Sequence, residues 1–289
     1  MHLFLFRCFL QRRDFTENKE NTVPLLQVRS LNAGYVGKAV LKDVDFALEP
    51  GDFVCLSGLN GCGKSTLLSI LAGVTLADLT YTGQVLVDGK PIKKIPKKEV
   101  ARQIGFLSQK EYSVWNFSVL ETIVTGRYCY TGLSGTYSEQ DYHIAREAAA
   151  LLQIENLLDR NIHSLSGGEY QRVRIARTFA QEPQTVLLDE PASGLDFTLQ
   201  YDLLQIVKEL AAKKNMAVLI SIHDINTAAV FADTMALMAP LQPCQDKTLL
   251  ITGKPWDVVT EEHLFLSYGR KFGVCPHPKY GCPFIYLHD

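Results

Sequence analysis

No run in this sequence approaches the roughly 18 uninterrupted apolar residues that a membrane-crossing helix needs. Work at a membrane would therefore require a partner that holds the chain there. An excess of either charge is also missing: 29 Lys and Arg stand against 31 Asp and Glu, a net charge of −2. That balance gives no support to a nucleic-acid surface, and no nucleic-acid partner is expected. The lysines at 90, 93, 94, 97 and 98 have no aromatic residues between them and read as a solvated loop. Seven cysteines, at 8, 55, 62, 129, 244, 275 and 282, are odd in number and scattered. They form no disulfide framework and suit a reducing compartment. Internal repeats and low-complexity tracts are lacking. The opening MHLFLFRCFLQRRD imitates a secretory signal, but Arg7 breaks the apolar run and no small-residue cleavage site follows. Residues 1–24 are expected to be a disordered extension without function.

What the 289 residues do contain is ordinary globular composition, 47% hydrophobic and 21% charged. LLQVRSL and VLKDVDFAL alternate as half-buried strands do, DFVCLS reads as a short buried strand, and STLLSILAGV as an apolar helix. TGQVLVDGKPI has the pattern of a hairpin strand. From about 111 to 170 the pattern turns helical. NFSVLETIVTGRY predicts one helix, and YSEQDYHIAREAAALLQI a second, opened by Ser138 with Asp141 three residues on. TVLLDE and MAVLISIH then return to continuous apolar runs, the mark of strands buried on both faces.

Between a strand and a helix lies Gly58-Leu59-Asn60-Gly61-Cys62-Gly63-Lys64-Ser65-Thr66, which fits G-x-x-x-x-G-K-[ST]. The glycines let successive backbone N–H groups turn inward around an anion, and the following helix aims its positive end at the same place. Lys64 can bridge β- and γ-phosphates, and the Ser65 hydroxyl can ligate Mg²⁺. ATP with Mg²⁺ is the implied ligand. Cys62 reads as a small space-filler within the loop. TVLLDE ends in two carboxylates: Asp189, placed to hold the metal, and Glu190, placed to orient or deprotonate an attacking water.

Leu165-Ser166-Gly167-Gly168-Glu169-Tyr170-Gln171-Arg172 resembles the signature motif of ATP-binding cassette (ABC) proteins. A serine and glycines opening a helix make a second anion site. The resemblance implies that Ser166, Gly167 and Gly168 face ATP held by the other subunit of a head-to-tail homodimer. It further implies that Gln109 touches Mg²⁺ and water and links to the helical region. His223, in LISIHDIN, corresponds to a switch histidine at the γ-phosphate, Asp196, in SGLD, to an aspartate that signals across the dimer, and Tyr35 to the aromatic that stacks on adenine. The likeness covers about residues 25–262. It implies an α/β fold: a P-loop NTPase core with a mixed sheet, an antiparallel β subdomain and an inserted α-helical subdomain. Leu59 stands where many members have proline, and Tyr170 is one of several residues tolerated in the signature.

The insertion is too short for coiled-coil arms, and there is a single phosphate loop. This points to a stand-alone ATPase subunit paired with separate membrane permease subunits and, through them, a substrate-binding protein. The expected location is peripheral, on the cytoplasmic face of the inner (plasma) membrane. VLETIVTGRYCYTG and the ending ITGKPWDVVTEEHLFLSYG resemble the importer branch serving iron chelates (siderophores or haem) and cobalamin. Zinc or manganese importers remain the alternative, as does a soluble ABC ATPase such as an iron–sulfur assembly factor. Tyr112, Val114, Trp115 and Phe117 either pack the helical core or line a groove for a helix of the membrane subunit. Residues 263–289 form a short C-terminal extension, where Cys275, His277, Cys282 and His288 match no zinc spacing and read as part of a terminal hairpin.

Overall fold

Two kinds of strand, alternating and continuously apolar, build two different sheets. The computed structural model describes residues 23–74, 77–109, 111, 116–132, 134–242 and 247–287. Tyr112, Val114, Trp115, Cys8, Cys244, His288 and the extension through residue 22 lie outside the described residues.

The alternating segments come first. β1 (Leu26–Tyr35) pairs antiparallel with β2 (Lys38–Leu48) through a tight turn. After β3 (Phe53–Gly58) and helix α1 (Lys64–Leu71), β4 (Thr80–Val87) returns to the other edge of β1, and the two-residue β5 (Lys90–Pro91) completes the sheet in the order β2-β1-β4-β5. β3 belongs instead to the second sheet. That sheet continues through α2 (Lys97–Gln103), β6 (Ile104–Leu107), α3 (Val119–Val124), α4 (Glu139–Leu151), α5 (Gly167–Ala180) and β7 (Thr185–Asp189). α6 (Phe197–Lys214), β8 (Ala217–Ser221), α7 (Ile225–Phe231), β9 (Thr234–Met238) and β10 (Leu250–Gly253) follow. Its order is β10-β9-β3-β8-β7-β6, parallel apart from the antiparallel edge strand β10.

Every residue of β3, β7 and β8 is buried, because the sheet feeds a core on each face. Cys55, Val186, Leu188 and Ile220 point into the core shared with α3–α7. Val54, Leu56, Leu187 and Leu219, one residue out of phase, pack under α1 and the antiparallel sheet. The sheet thereby holds its C-terminal strand ends, where the functional loops emerge, between two filled cores.

The helical region differs from its sequence reading in one place. The segment NFSVLETIVTGRY is not one helix: α3 starts at Val119, where Ser118 and Glu121 form a reciprocal capping box, and gives way to a 3-10 turn over Thr125–Tyr130. The cause is a close approach. A Cβ at Gly126 would collide with the Arg177 carbonyl on α5, so the chain tightens to pass it. The Ser138–Asp141 box opens α4 as its spacing predicts. Beyond β10, α8 (Pro255–Val258) and α9 (Glu261–Tyr268) lead to a hairpin of β11 (Phe272–Pro276) and β12 (Pro283–Leu287). Asn226 of α7 docks β12, exchanging two hydrogen bonds with the Ile285 backbone (2.7 and 3.1 Å). Among the described residues no helix is long and apolar enough to cross a membrane.

Candidate functional site

The loop after β3 closes on itself. Gly58 (φ +149°) takes a conformation that side chains rarely adopt, and a Cβ there would run into the Met238 carbonyl of β9. Gly63 (φ +109°) caps α1 and lies against Val40 and Leu41 of β2, where a Cβ would clash. Cys62 is 1% exposed; burial pushes its thiol up against the opposing pull of Lys64, so it fills space rather than reacts. Thr66 is buried, whereas Leu59, Asn60, Gly61 and Ser65 face outward.

Lys64 carries the main signal. Only 5% exposed, its ammonium donates to the Gly58 and Leu59 carbonyls (2.9 and 3.2 Å), and among the described residues no carboxylate pairs with it. A buried cation answered only by neutral carbonyls, beside a helix N-terminus, fits an anionic ligand. The converse holds at the end of β7. Asp189, 3% exposed, accepts from the Ser221 hydroxyl (2.8 Å) and has no cationic partner among the described residues. Such a buried carboxylate fits a divalent cation, with Ser65 and Gln109 as the further candidate oxygen donors.

Glu190 sits at φ +47°, a left-handed conformation that costs a non-glycine residue about 1 kcal/mol or more. Ser221 holds it there by accepting the Glu190 N–H at 2.8 Å while donating to Asp189. One hydroxyl thus fixes both carboxylate positions. Sequence reading missed Ser221; its signal is a hydroxyl ending an otherwise apolar strand two residues before His223. Gln109 donates through Nε2 to Glu190 Oε2 at 2.7 Å. Asn60, Gln109, Glu190, Ser221 and His223 line one cleft of about 470 Å³. His223, exposed between β8 and α7, has the cleft in reach.

Lys64, Ser65, Thr66 and Asp189 are not among the residues that line this cleft, and three further predicted residues or groups do not line it either. Tyr35 ends β1, 37% exposed. Ser166 caps α5 in a reciprocal box with Glu169, and both Ser166 and Gly167 face outward. Asp196 caps α6 by accepting from Leu199 N (3.0 Å). The last two are neighbours: a Cβ at Gly168 would meet Leu199 at 3.2 Å. The signature and the Asp196 end of the SGLD turn therefore share one exposed edge, with Phe197 77% exposed beside them, while Ser193 and Gly194 at the start of that turn line the cleft.

Sequence reading also missed the charged clamps around α5. Arg177 grips Glu111 in a two-pronged pair (2.6 and 2.6 Å), with Arg174 Nε 3.5 Å away. Against a burial penalty, these guanidinium groups hold the Glu111 carboxyl below its usual range. Arg127, buried over the Tyr130 ring at 3.8 Å, pairs with Asp141 (3.0 Å) and Glu182 (2.8 Å) and donates to the Ala180 carbonyl. Cys275, His277 and Cys282 lie in the terminal hairpin, and no group of three potential metal ligands occurs among the described residues.

Residues 41–193 match the family model described as ABC transporter. The chain is 31% identical over 263 residues to the petrobactin import ATP-binding protein of Bacillus anthracis, covering 91% of this chain and 93% of that one. It is 36% identical over 270 residues to the hemin import ATP-binding protein of Gloeobacter violaceus, covering 90% and 93%. A solved metal-chelate type ABC transporter in an inward-facing conformation superposes with a TM-score of 0.74 at 28% identity, covering 91% and 96%. A dimeric bacterial ABC transporter cassette superposes with a TM-score of 0.63 at 26% identity, covering 73% and 93%.

Proposed function

The chain belongs to the ABC transporter family, and we propose that it hydrolyses Mg-ATP to energise import of an iron chelate (siderophore or haem) or cobalamin. It would do so through separate permease subunits, docked on the cytoplasmic face of the membrane, with a substrate-binding protein delivering the cargo. The carrying observation is a pair of buried charges of opposite sign, neither with an ion-pair partner among the described residues, on the two strands that flank β8: the Lys64 ammonium beyond the end of β3 and the Asp189 carboxylate at the end of β7.

On this reading Lys64 exchanges the Gly58 and Leu59 carbonyls for phosphate oxygens, and the N–H groups of residues 59–66 cradle the rest. Tyr35 stacks on the adenine. Ser65, Asp189 and Gln109 would hold Mg²⁺, which when bound neutralises charge on the β- and γ-phosphate oxygens. Glu190 takes the proton of the attacking water, its carboxylate aimed by Gln109 and its backbone by Ser221. His223 contacts the γ-phosphate from across the cleft. Ser166, Gly167 and Gly168 close on the nucleotide of a second copy, head to tail, with Asp196 beside them.

The relatives' names favour iron chelates over zinc or manganese, since petrobactin and hemin importers both align over nine-tenths of this chain. The test is co-purification with its permease from detergent-solubilised membranes, followed by transport in proteoliposomes. Uptake of iron-loaded siderophore, haem or cobalamin is expected; uptake of free zinc or manganese instead, or the absence of any membrane partner, overturns the reading.

A further inference from the structure

Gln109 is held from both sides by a single helix. Arg174 Nη2 donates to the Ser108 carbonyl at 2.6 Å, immediately before it, and Arg177 grips Glu111 two residues after it. Arg174 and Arg177, three apart on α5, present their guanidinium groups on one face, and Gln171 Oε1 steadies Arg174 from the preceding turn (2.8 Å). The same helix begins at Ser166, whose cap lies eight residues, about 12 Å of helix, from Arg174. At the other end of the chain of contacts, Gln109 touches Glu190. Two charge-assisted contacts, joined through the backbone between Ser108 and Gln109, therefore link the signature helix to the proposed base.

We propose that Glu111, clamped by Arg174 and Arg177, is the positioning residue that sets Gln109 against Glu190. The inference rests on the ATPase reading above. A pin serving stability alone has no reason to land on both flanks of Gln109. A two-pronged guanidinium–carboxylate pair fixes orientation as well as distance, which a single contact cannot do. The clamp also holds an unspent donor: Arg174 Nε is buried without a hydrogen bond, 3.5 Å from Glu111 Oε2.

The test is a double-mutant cycle on ATPase activity of the full chain, with melting temperatures taken alongside. Glu111→Gln should lower kcat about tenfold or more while KM for ATP changes less than about twofold, since misplacement rather than binding is at fault. In a Gln109→Ala background the same substitution should cost almost nothing further, because its effect passes through Gln109. Arg177→Lys keeps the charge and loses the fork; it should show the same kcat-only loss and serves if Glu111→Gln does not fold. Unchanged kcat in the folded variants, or full multiplication of the two losses in the double mutant, overturns the clamp. Lys64→Ala, run in parallel, reports on the ATPase reading alone: turnover that survives it sinks that reading, whereas additivity in the cycle sinks only the clamp.

Discussion

Two helix starts in this molecule use the same device and end in opposite states. At α1, glycines and Lys64 open a helix inside the protein: Cys62, Gly63, Lys64 and Thr66 are buried, and the cation has folded back on its own loop. At α5, Ser166 and Gly167 open a helix at the surface, capped only by their own Glu169. Both present free N–H groups at the positive end of a helix dipole. One is complete, with a strand, a loop and a cation converging on it. The other stands exposed and, on the proposed reading, is half a site that a second copy completes. An anion-ready helix start is thus not a binding site by itself; what surrounds it decides.

The largest effect expected from this difference is at the complete site. Lys64→Ala removes the one side-chain cation of the loop, so hydrolysis should fall below detection and nucleotide binding should weaken severely, read by ATPase assay and nucleotide titration. Near wild-type turnover would erase the distinction between the two helix starts.

The half-site should show itself next, through association. Glu190→Gln keeps the shape of the cleft and removes the base, so an ATP-bound closed state should persist. Size-exclusion chromatography with light scattering should show a monomer-to-dimer shift with ATP and none with ADP. Adding Ser166→Arg should abolish the shift, since a bulky cation at an exposed helix start blocks a second phosphate without touching the first site. A dimer that survives Ser166→Arg would mean that α5 does not act across the interface.

The chemistry of the complete site was readable because it is contiguous. The phosphate loop, the TVLLDE carboxylates and the signature each fit within nine residues at fixed spacing, and the buried strands showed as unbroken apolar runs. What stayed hidden depends on segments meeting in space. Glu111 and Arg177 are 66 residues apart, Asp189 and Ser221 32, and Arg127 and Glu182 55. No local pattern announces such pairs; β7–β8 register sets the second, with Asp189 opposite Ser221. The break of α3 at Thr125 was illegible for the same reason, as only the nearness of the Arg177 carbonyl makes Gly126 necessary.

Glycine substitutions sharpen the comparison in stability terms. Gly58→Ala forces a Cβ into the Met238 carbonyl at a positive φ, and should cost about 3 kcal/mol or more in denaturant unfolding. At Gly167 a Cβ meets nothing within 4 Å, and the residue is the first of α5. Gly167→Ala should therefore leave stability within about 0.5 kcal/mol of wild type. A large loss at Gly167 would show that the exposed start is structurally committed after all.

The smallest effect expected is an acid limb from the helical half. The Asp141 carboxyl is held below its ordinary value: burial opposes this, but hydrogen bonds from Ser138 and the Arg127 guanidinium outweigh it. A depressed folded value means that the folded chain binds this proton less readily than the unfolded chain. The stabilisation is then fully present above the unfolded aspartate value of about 4 and is lost as pH falls through the folded one. Asp141→Asn removes the titration while keeping the shape and much of the capping. The melting-temperature gap between wild type and Asp141→Asn should be constant from pH 8 to about 5 and shrink below about 4. Arg127 keeps Glu182 (2.8 Å) when it loses the Asp141 charge (3.0 Å), which makes the gap small but measurable beside the residual cap. Lys64 and its loop have no carboxylate partner among the described residues, and the same acid range should leave the Lys64→Ala gap flat. If both gaps shrank together, the acid sensitivity would belong to the whole fold and not to the half that presents Ser166.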